Sequence, residues 1–117
     1  MVAWIKQGEV YWINLPEPRE SEPGFRRPCV VVQNDTFNRS KIKTAVICIL
    51  TTNLRLGKAP GNVALEQGEA NLPKKSVVNV SQVLTVNKSD LLPSEKIGQL
   101  PSSKISLIID GLKLVIS

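Results

Sequence analysis

The chain has 117 residues, no histidine, two cysteines and a formal charge of +5, with 42% hydrophobic and 21% charged residues. That length builds one core, so residues 1–117 form a single domain, and the ordinary composition excludes a disordered or fibrous chain. Without histidine, any proton chemistry falls to carboxylates, hydroxyls, lysine or arginine, and the commonest metal ligand is missing.

No apolar stretch reaches the roughly 18–20 residues of a membrane span, and Met1-Val2-Ala3-Trp4-Ile5-Lys6 lacks the layout of a signal peptide. The chain reads as cytoplasmic, with no membrane partner. Residues 8–15 alternate and are rich in β-branched and aromatic types, which predicts a strand. Trp4 and Trp12 are both candidates for stacking on bases; the alternative for Trp12 is a place in the core, and for Trp4 a place over a dimer or barrel edge. Residues 16–24 hold three prolines and no periodicity: a loop, long for a hairpin connection, and long connections are more often functional.

Gly24-Phe25-Arg26-Arg27-Pro28 then delivers two arginines to the mouth of a buried strand over 29–33. A permanently charged, planar fork fixed there suits a phosphate or a carboxylate, a surface salt bridge being the alternative. Residues 34–41 form a polar turn, which Asn34, Asp35 and Asn38 shape through side-chain to backbone bonds. A second buried strand follows over 44–50, ending in Thr51-Thr52-Asn53. Cys29 and Cys48 each sit inside an apolar run and are expected as buried, reduced thiols. Residues 26–58 carry seven Lys and Arg against Asp35 alone, a concentration that favours a polyanionic partner.

A short strand is expected over 62–65, a turn over 66–70, and a strand over 76–80 that continues past a kink through 82–86. Residues 87–92 read as a turn and a short strand, and 94–100 as one or two helical turns that Pro101 stops. Ser102 or Ser103 then caps a final helix whose Ile105, Ile108, Ile109, Leu112, Val115 and Ile116 recur at helical spacing. Gly111 weakens that helix by up to about 1 kcal/mol, which packing must offset. Five to seven short, largely antiparallel strands closed by one helix make a mainly β fold, a small barrel.

Seven collinear blocks now carry a resemblance. They are residues 8–12, 21–28, 30–38, 50–52, 76–82, 85–88 and 97–100, and together they span nearly the whole chain. The sequence resembles the MazF/PemK family of toxin endoribonucleases (mRNA interferases). The resemblance implies an SH3-like barrel of the CcdB/PemK type, a homodimer, and a toxin of a type II toxin–antitoxin system. It implies cleavage of single-stranded RNA without metal or cofactor, at a short preferred sequence, leaving 2′,3′-cyclic phosphate and 5′-hydroxyl ends.

By the same resemblance Arg27, Thr51 and Glu22 are the catalytic candidates. Ser21, Arg26, Asn38, Thr52, Asn53, Ser76 and Gln82 are the RNA-binding ones. Leu84 stands where many members carry a basic residue. The implied antitoxin lays a flexible acidic segment across the RNA groove.

Arg27 suits stabilisation of the phosphorane. The resemblance also makes it general acid and base, yet with a pKa of about 12.5 its neutral form lies roughly 7 kcal/mol or more uphill at pH 7. Glu22 is the alternative base, unless it only pairs with Arg26 or Arg27. Thr51 donates to a non-bridging oxygen or caps its strand. Two other readings stay open: a poison of a protein target such as a DNA topoisomerase, and a non-catalytic RNA-binding module.

Overall fold

The computed structural model describes residues 4–16 and 25–117. Six strands form one sheet: β1 (Glu9–Leu15), β2 (Phe25–Val31), β3 (Thr44–Thr51), β4 (Val63–Leu65), β5 (Ser76–Asn87) and β6 (Lys96–Gln99). A single helical turn, α1 (Asp35–Asn38), joins β2 to β3, and a C-terminal helix, α2 (Ser102–Ile116), ends the chain. The strand order is β4-β5-β3-β2-β1-β6, and every pairing is antiparallel. Among the described residues no helix is long and apolar enough to cross a membrane.

The apolar runs in β2 and β3 are continuous, and both faces of these strands are buried. Val10, Val30, Cys48, Leu50 and Val78 point into one cluster, which Leu100, just before α2, and Ile108 of α2 complete. Tyr11, Ile13, Cys29, Val31, Ala45, Ile47 and Ile49 point into a second cluster with Ile5 and Leu91. Each fully buried Val, Leu or Ile contributes about 1.5–3 kcal/mol, so two-sided burial is the main source of stability here. Cys29 and Cys48 belong to opposite clusters and are free thiols, because the sheet itself lies between them.

The kink expected after residue 80 is a bulge inside one continuous strand. Cys48 pairs with Val83 and the next residue, Ile49, pairs with Asn79, so Val80, Ser81 and Gln82 have no counterpart in β3. An odd number of extra residues swaps the faces of β5. Val78 and Val80 accordingly join the first cluster, while Leu84 and Val86 pack on the second. Asn62 secures the bulge: its Oδ1 accepts from Val80 N–H at 2.9 Å and its Nδ2 donates to the Leu56 carbonyl at 2.9 Å.

The sheet curls until its two ends meet through a turn. The side chain of Asn71 donates to the Ile97 carbonyl at 3.1 Å, and a Cβ on Gly98 would stand 2.3 Å from the Ala70 carbonyl oxygen. Glycine at 98 is what allows that approach.

Three expectations fail near the C-terminus. Residues 94–100 are not helical: a 3-10 turn over Pro93–Glu95 leads into β6, whose pairing with β1 outweighs local preference. Residues 88–92 hold no strand, only a 3-10 turn over Lys88–Asp90. Neither serine caps α2. Pro101 is its N-cap, in an extended conformation, and its carbonyl accepts from Lys104 and Ile105 N–H at 3.0 and 3.1 Å.

The apolar stripe of α2 is also only partly used. Ile108 and Gly111 are buried and Ile105 and Leu112 pack on the core, whereas Val115 and Ile116 are 45% and 79% exposed. The polar turn at 34–41 contains α1, capped by Asn34 Oδ1 accepting from Thr36 N–H at 2.8 Å.

Candidate nucleic-acid cleft

Antiparallel order places the start of β2, the end of β3 and the start of β5 at one end of the sheet. A cleft of about 400 Å³ opens there, lined by Arg26, Arg27, Thr51, Thr52, Lys74 and Ser76 with Trp12, Phe25 and Leu72. Residues distant in sequence meet because Arg27 lies opposite Ile13 while Thr51 lies opposite Val77, one residue from Ser76.

Arg27 emerges half-buried from β2, immediately before Pro28, whose ring fixes the backbone behind it. Thr51 closes β3. Its hydroxyl oxygen accepts from Asn53 N–H at 3.1 Å, an arrangement that leaves the hydroxyl proton to donate. Ser76 is buried and donates to the Lys74 carbonyl at 3.0 Å, which holds the Pro73-Lys74-Lys75 segment against the cleft.

Arg26 has a different environment. Its guanidinium lies over the Trp12 ring, 5.0 Å from the centroid, and its Nη2 donates to Glu95 Oε2 at 2.6 Å. Cation–π contact and ion pair together orient a side chain that is otherwise exposed. Trp12, expected in the core, is half-buried and forms part of the cleft wall.

The remaining candidates separate. Thr52 lines the cleft; Asn53 caps the following 3-10 turn, its Oδ1 accepting from Arg55 N–H at 3.3 Å. Gln82 sits in the β5 bulge, outside the cleft lining. Asn38 is at the opposite end of the sheet and is 1% exposed. Its amide is committed to the Gln33 carbonyl, Gln33 Nε2 and Asp35 Oδ1, which makes it a shaper of the turn. Ser21 and Glu22 lie outside the described residues. Leu84 packs into the second cluster, a place that suits its apolar side chain.

Two cleft residues were not singled out from sequence. Phe25 stands exposed at the rim with φ of +62°, in the left-handed region that non-glycine residues rarely adopt. An aromatic directly before two arginines was the available signal. Lys74 lies outside the basic stretch at 26–58, and only folding brings it beside Arg27.

That basic stretch is itself divided by the fold. Arg26 and Arg27 enter this cleft, while Lys41 and Lys43 line a second groove at the far end of the strands. Burial pushes the thiols of Cys29 and Cys48 up to about 12, so neither is a ready nucleophile. Among the described residues no three His, Cys, Asp or Glu side chains are grouped as a metal ion would require.

A family model described as the PemK-like, MazF-like toxin of type II toxin–antitoxin systems matches residues 6–116. Endoribonuclease MazF6 of Mycobacterium tuberculosis is 41% identical over 81 residues, covering 69% of this chain and 71% of that protein. Endoribonuclease MazF of Staphylococcus epidermidis is 35% identical over 81 residues, covering 69% and 67%.

Among solved structures, MazF from Deinococcus radiodurans superposes with a TM-score of 0.77 at 20% identity, covering 98% of each chain. A mycobacterial endoribonuclease solved with its cognate antitoxin gives a TM-score of 0.76 at 23% identity, covering 96% of this chain and 94% of that one. At these identities the structural likeness establishes the fold.

Proposed function

Since this chain belongs to the PemK-like, MazF-like toxins of type II toxin–antitoxin systems, we propose that it is an endoribonuclease that cuts single-stranded RNA in the Arg27–Thr51 cleft. The observation that carries the reading is the convergence of Arg27, Thr51 and Ser76, from three strand ends, and of Lys74, from the segment before β5, into one cleft walled by Trp12 and Phe25. Cations and hydroxyls suit a phosphodiester, and the aromatic walls suit unpaired bases. Relatives at 35% and 41% identity are named endoribonucleases, which supports the same reaction class.

In this reading the ribose 2′-oxygen attacks phosphorus, the bond to the 5′-oxygen breaks, and the products are a 2′,3′-cyclic phosphate and a 5′-hydroxyl. Arg27 stabilises the extra negative charge of the phosphorane. Thr51 donates its hydroxyl proton to a non-bridging oxygen, and Lys74 holds a flanking phosphate. Glu22 takes the 2′-hydroxyl proton, because deprotonating a guanidinium near neutral pH costs too much. The 5′-oxygen leaves with a proton returned from that acid or from water. No metal enters the scheme, and DNA, lacking the 2′-hydroxyl, is bound without being cut.

The proposed partners are a second copy of the chain and an antitoxin whose acidic segment covers the cleft. A structural neighbour solved with its cognate antitoxin supports an antitoxin partner.

The test is cleavage of a long, weakly structured RNA in EDTA, with the new ends chemically typed, beside Arg27→Ala, Thr51→Ala and a DNA copy. Limited cutting with cyclic phosphate ends is expected. Loss of one preorganised donor should slow it by about 10²–10³. Intact RNA with well-folded protein would overturn the reading and direct attention to a protein target.

A further inference from the structure

A groove larger than the Arg27–Thr51 cleft lies elsewhere among the described residues. It opens at the far end of the same strands, with a volume of about 1020 Å³, between the α1–β3 connection, the end of β5 and the segment leading into β6. Among the described residues five lysines line it, Lys6, Lys41, Lys43, Lys88 and Lys96, against one carboxylate, Glu9.

That carboxylate does not offset the field at the surface. Glu9 is 4% exposed and fully engaged: it accepts from Lys6 N–H at 2.7 Å and the Tyr11 hydroxyl at 3.0 Å, and pairs with Lys96 Nζ at 2.6 Å. Lys88 is also fixed, its Nζ donating to the carbonyls of Phe37, Asn38 and Ser40 at 3.0, 3.0 and 3.1 Å. These two lysines build the groove. Lys6, Lys41 and Lys43 form no salt bridge among the described residues and surround it with positive charge.

The same groove exposes large apolar groups. Trp4, Ile42 and Leu92 are 49%, 43% and 47% exposed and all contribute to its lining. A rim of cations over an apolar floor is complementary to a peptide that carries both carboxylates and apolar side chains. RNA fits less well, since of the exposed apolar groups only Trp4 offers a planar face for a base and the cations are lysines rather than forked arginines. A second copy docked about a two-fold axis fits poorly too, because it would set like-charged lysines against each other.

We propose that this groove is a docking site for an acidic peptide segment with apolar anchors, separate from the Arg27–Thr51 cleft. Carboxylates meet Lys6, Lys41 and Lys43, while the apolar side chains cover Trp4, Ile42 and Leu92. Binding here does not occupy the Arg27–Thr51 cleft, and it weakens as salt rises.

The probe is a short fluorescein-labelled peptide alternating glutamate and leucine, titrated by anisotropy at low and high salt. A single-stranded RNA oligonucleotide of equal charge runs beside it. Replacing Lys6, Lys41 and Lys43 together by glutamine should weaken the peptide by about tenfold. Arg27→Ala, which lies outside this groove, should leave the peptide's contact with residues 38–43 and 87–92 in place.

On the unmodified chain, the peptide should shift backbone amide resonances of residues 38–43 and 87–92. An unchanged affinity in the triple variant would overturn the proposal. So would peptide-induced shifts at residues 25–28 and 50–52 instead, no saturable binding, or a loss in the triple variant confined to the RNA.

Discussion

Gly111 in α2 lies directly on the backbone of Gly61: a Cβ added at position 111 would stand 2.1 Å from the Gly61 carbonyl oxygen, and one at 61 would stand 3.0 Å from the Gly111 carbonyl oxygen. Gly61 also has φ of +81°, so both its conformation and its contact call for glycine. In an isolated helix, glycine to alanine stabilises by nearly 1 kcal/mol. Here the sign should reverse. Gly111→Ala is expected to destabilise by about 1–3 kcal/mol, through displacement of α2 from the core. Urea denaturation of the two proteins decides it, and equal or greater stability of the variant would refute the contact.

Glu95 holds Arg26 over Trp12, and it also places a carboxylate beside a cationic cleft. Glu95→Gln removes that charge and releases the guanidinium for phosphate. Binding of a non-cleavable single-stranded oligonucleotide should tighten by about threefold at low salt, with the gain fading as salt rises. Weaker binding would mean that Glu95 serves to position Arg26 for the ligand.

The Asp35 carboxylate lies below its ordinary pKa, first because Gln7 N–H donates to its Oδ1 at 2.8 Å and next because Asn38 Nδ2 does so at 3.0 Å. A depressed folded value means that the contribution is complete above the unfolded value of about 3.9 and is lost as pH falls through the folded one. Stability should therefore drop below about pH 4. Asp35→Asn should show a shallower acid limb, with the two curves converging at low pH in a thermal melt series.

The thiols act on the alkaline side. Burial raises Cys29 and Cys48 to about 12, so the folded state keeps protons that the unfolded chain releases from about pH 8.5 upward. Their contribution is complete below that pH and falls as pH climbs toward the folded value. Iodoacetamide at pH 8 should label neither cysteine in the native protein and both in denaturant. Rapid native labelling would contradict their burial.

How much of this could be read along the chain depends on where the information resides. The runs in β2 and β3 were legible because two-sided burial demands uninterrupted apolar residues, a property of each residue's own side chain. The kink in β5 was legible as a change of alternation at Val80-Ser81-Gln82. By contrast β6 is short and polar, and its sequence is equally suited to a turn of helix. Its backbone partners on β1 decide its conformation. Glu22 and Ser21, which the sequence proposes for the site, lie outside the described residues and stay proposals.

Sequence by itself determined the class of fold, the likeness to the toxin family, and the arginine that enters the cleft beside a buried strand. All of these rest on residue types and local spacing. Tertiary structure alone decided that Lys74, Trp12 and Phe25 join Arg27 and Thr51, and that Asn38 does not. It alone separated one basic stretch into two grooves at opposite ends of the sheet. The physical reason is antiparallel pairing, which brings the start of one strand beside the end of the next, so a site forms from residues whose separation in sequence carries no signal of their nearness.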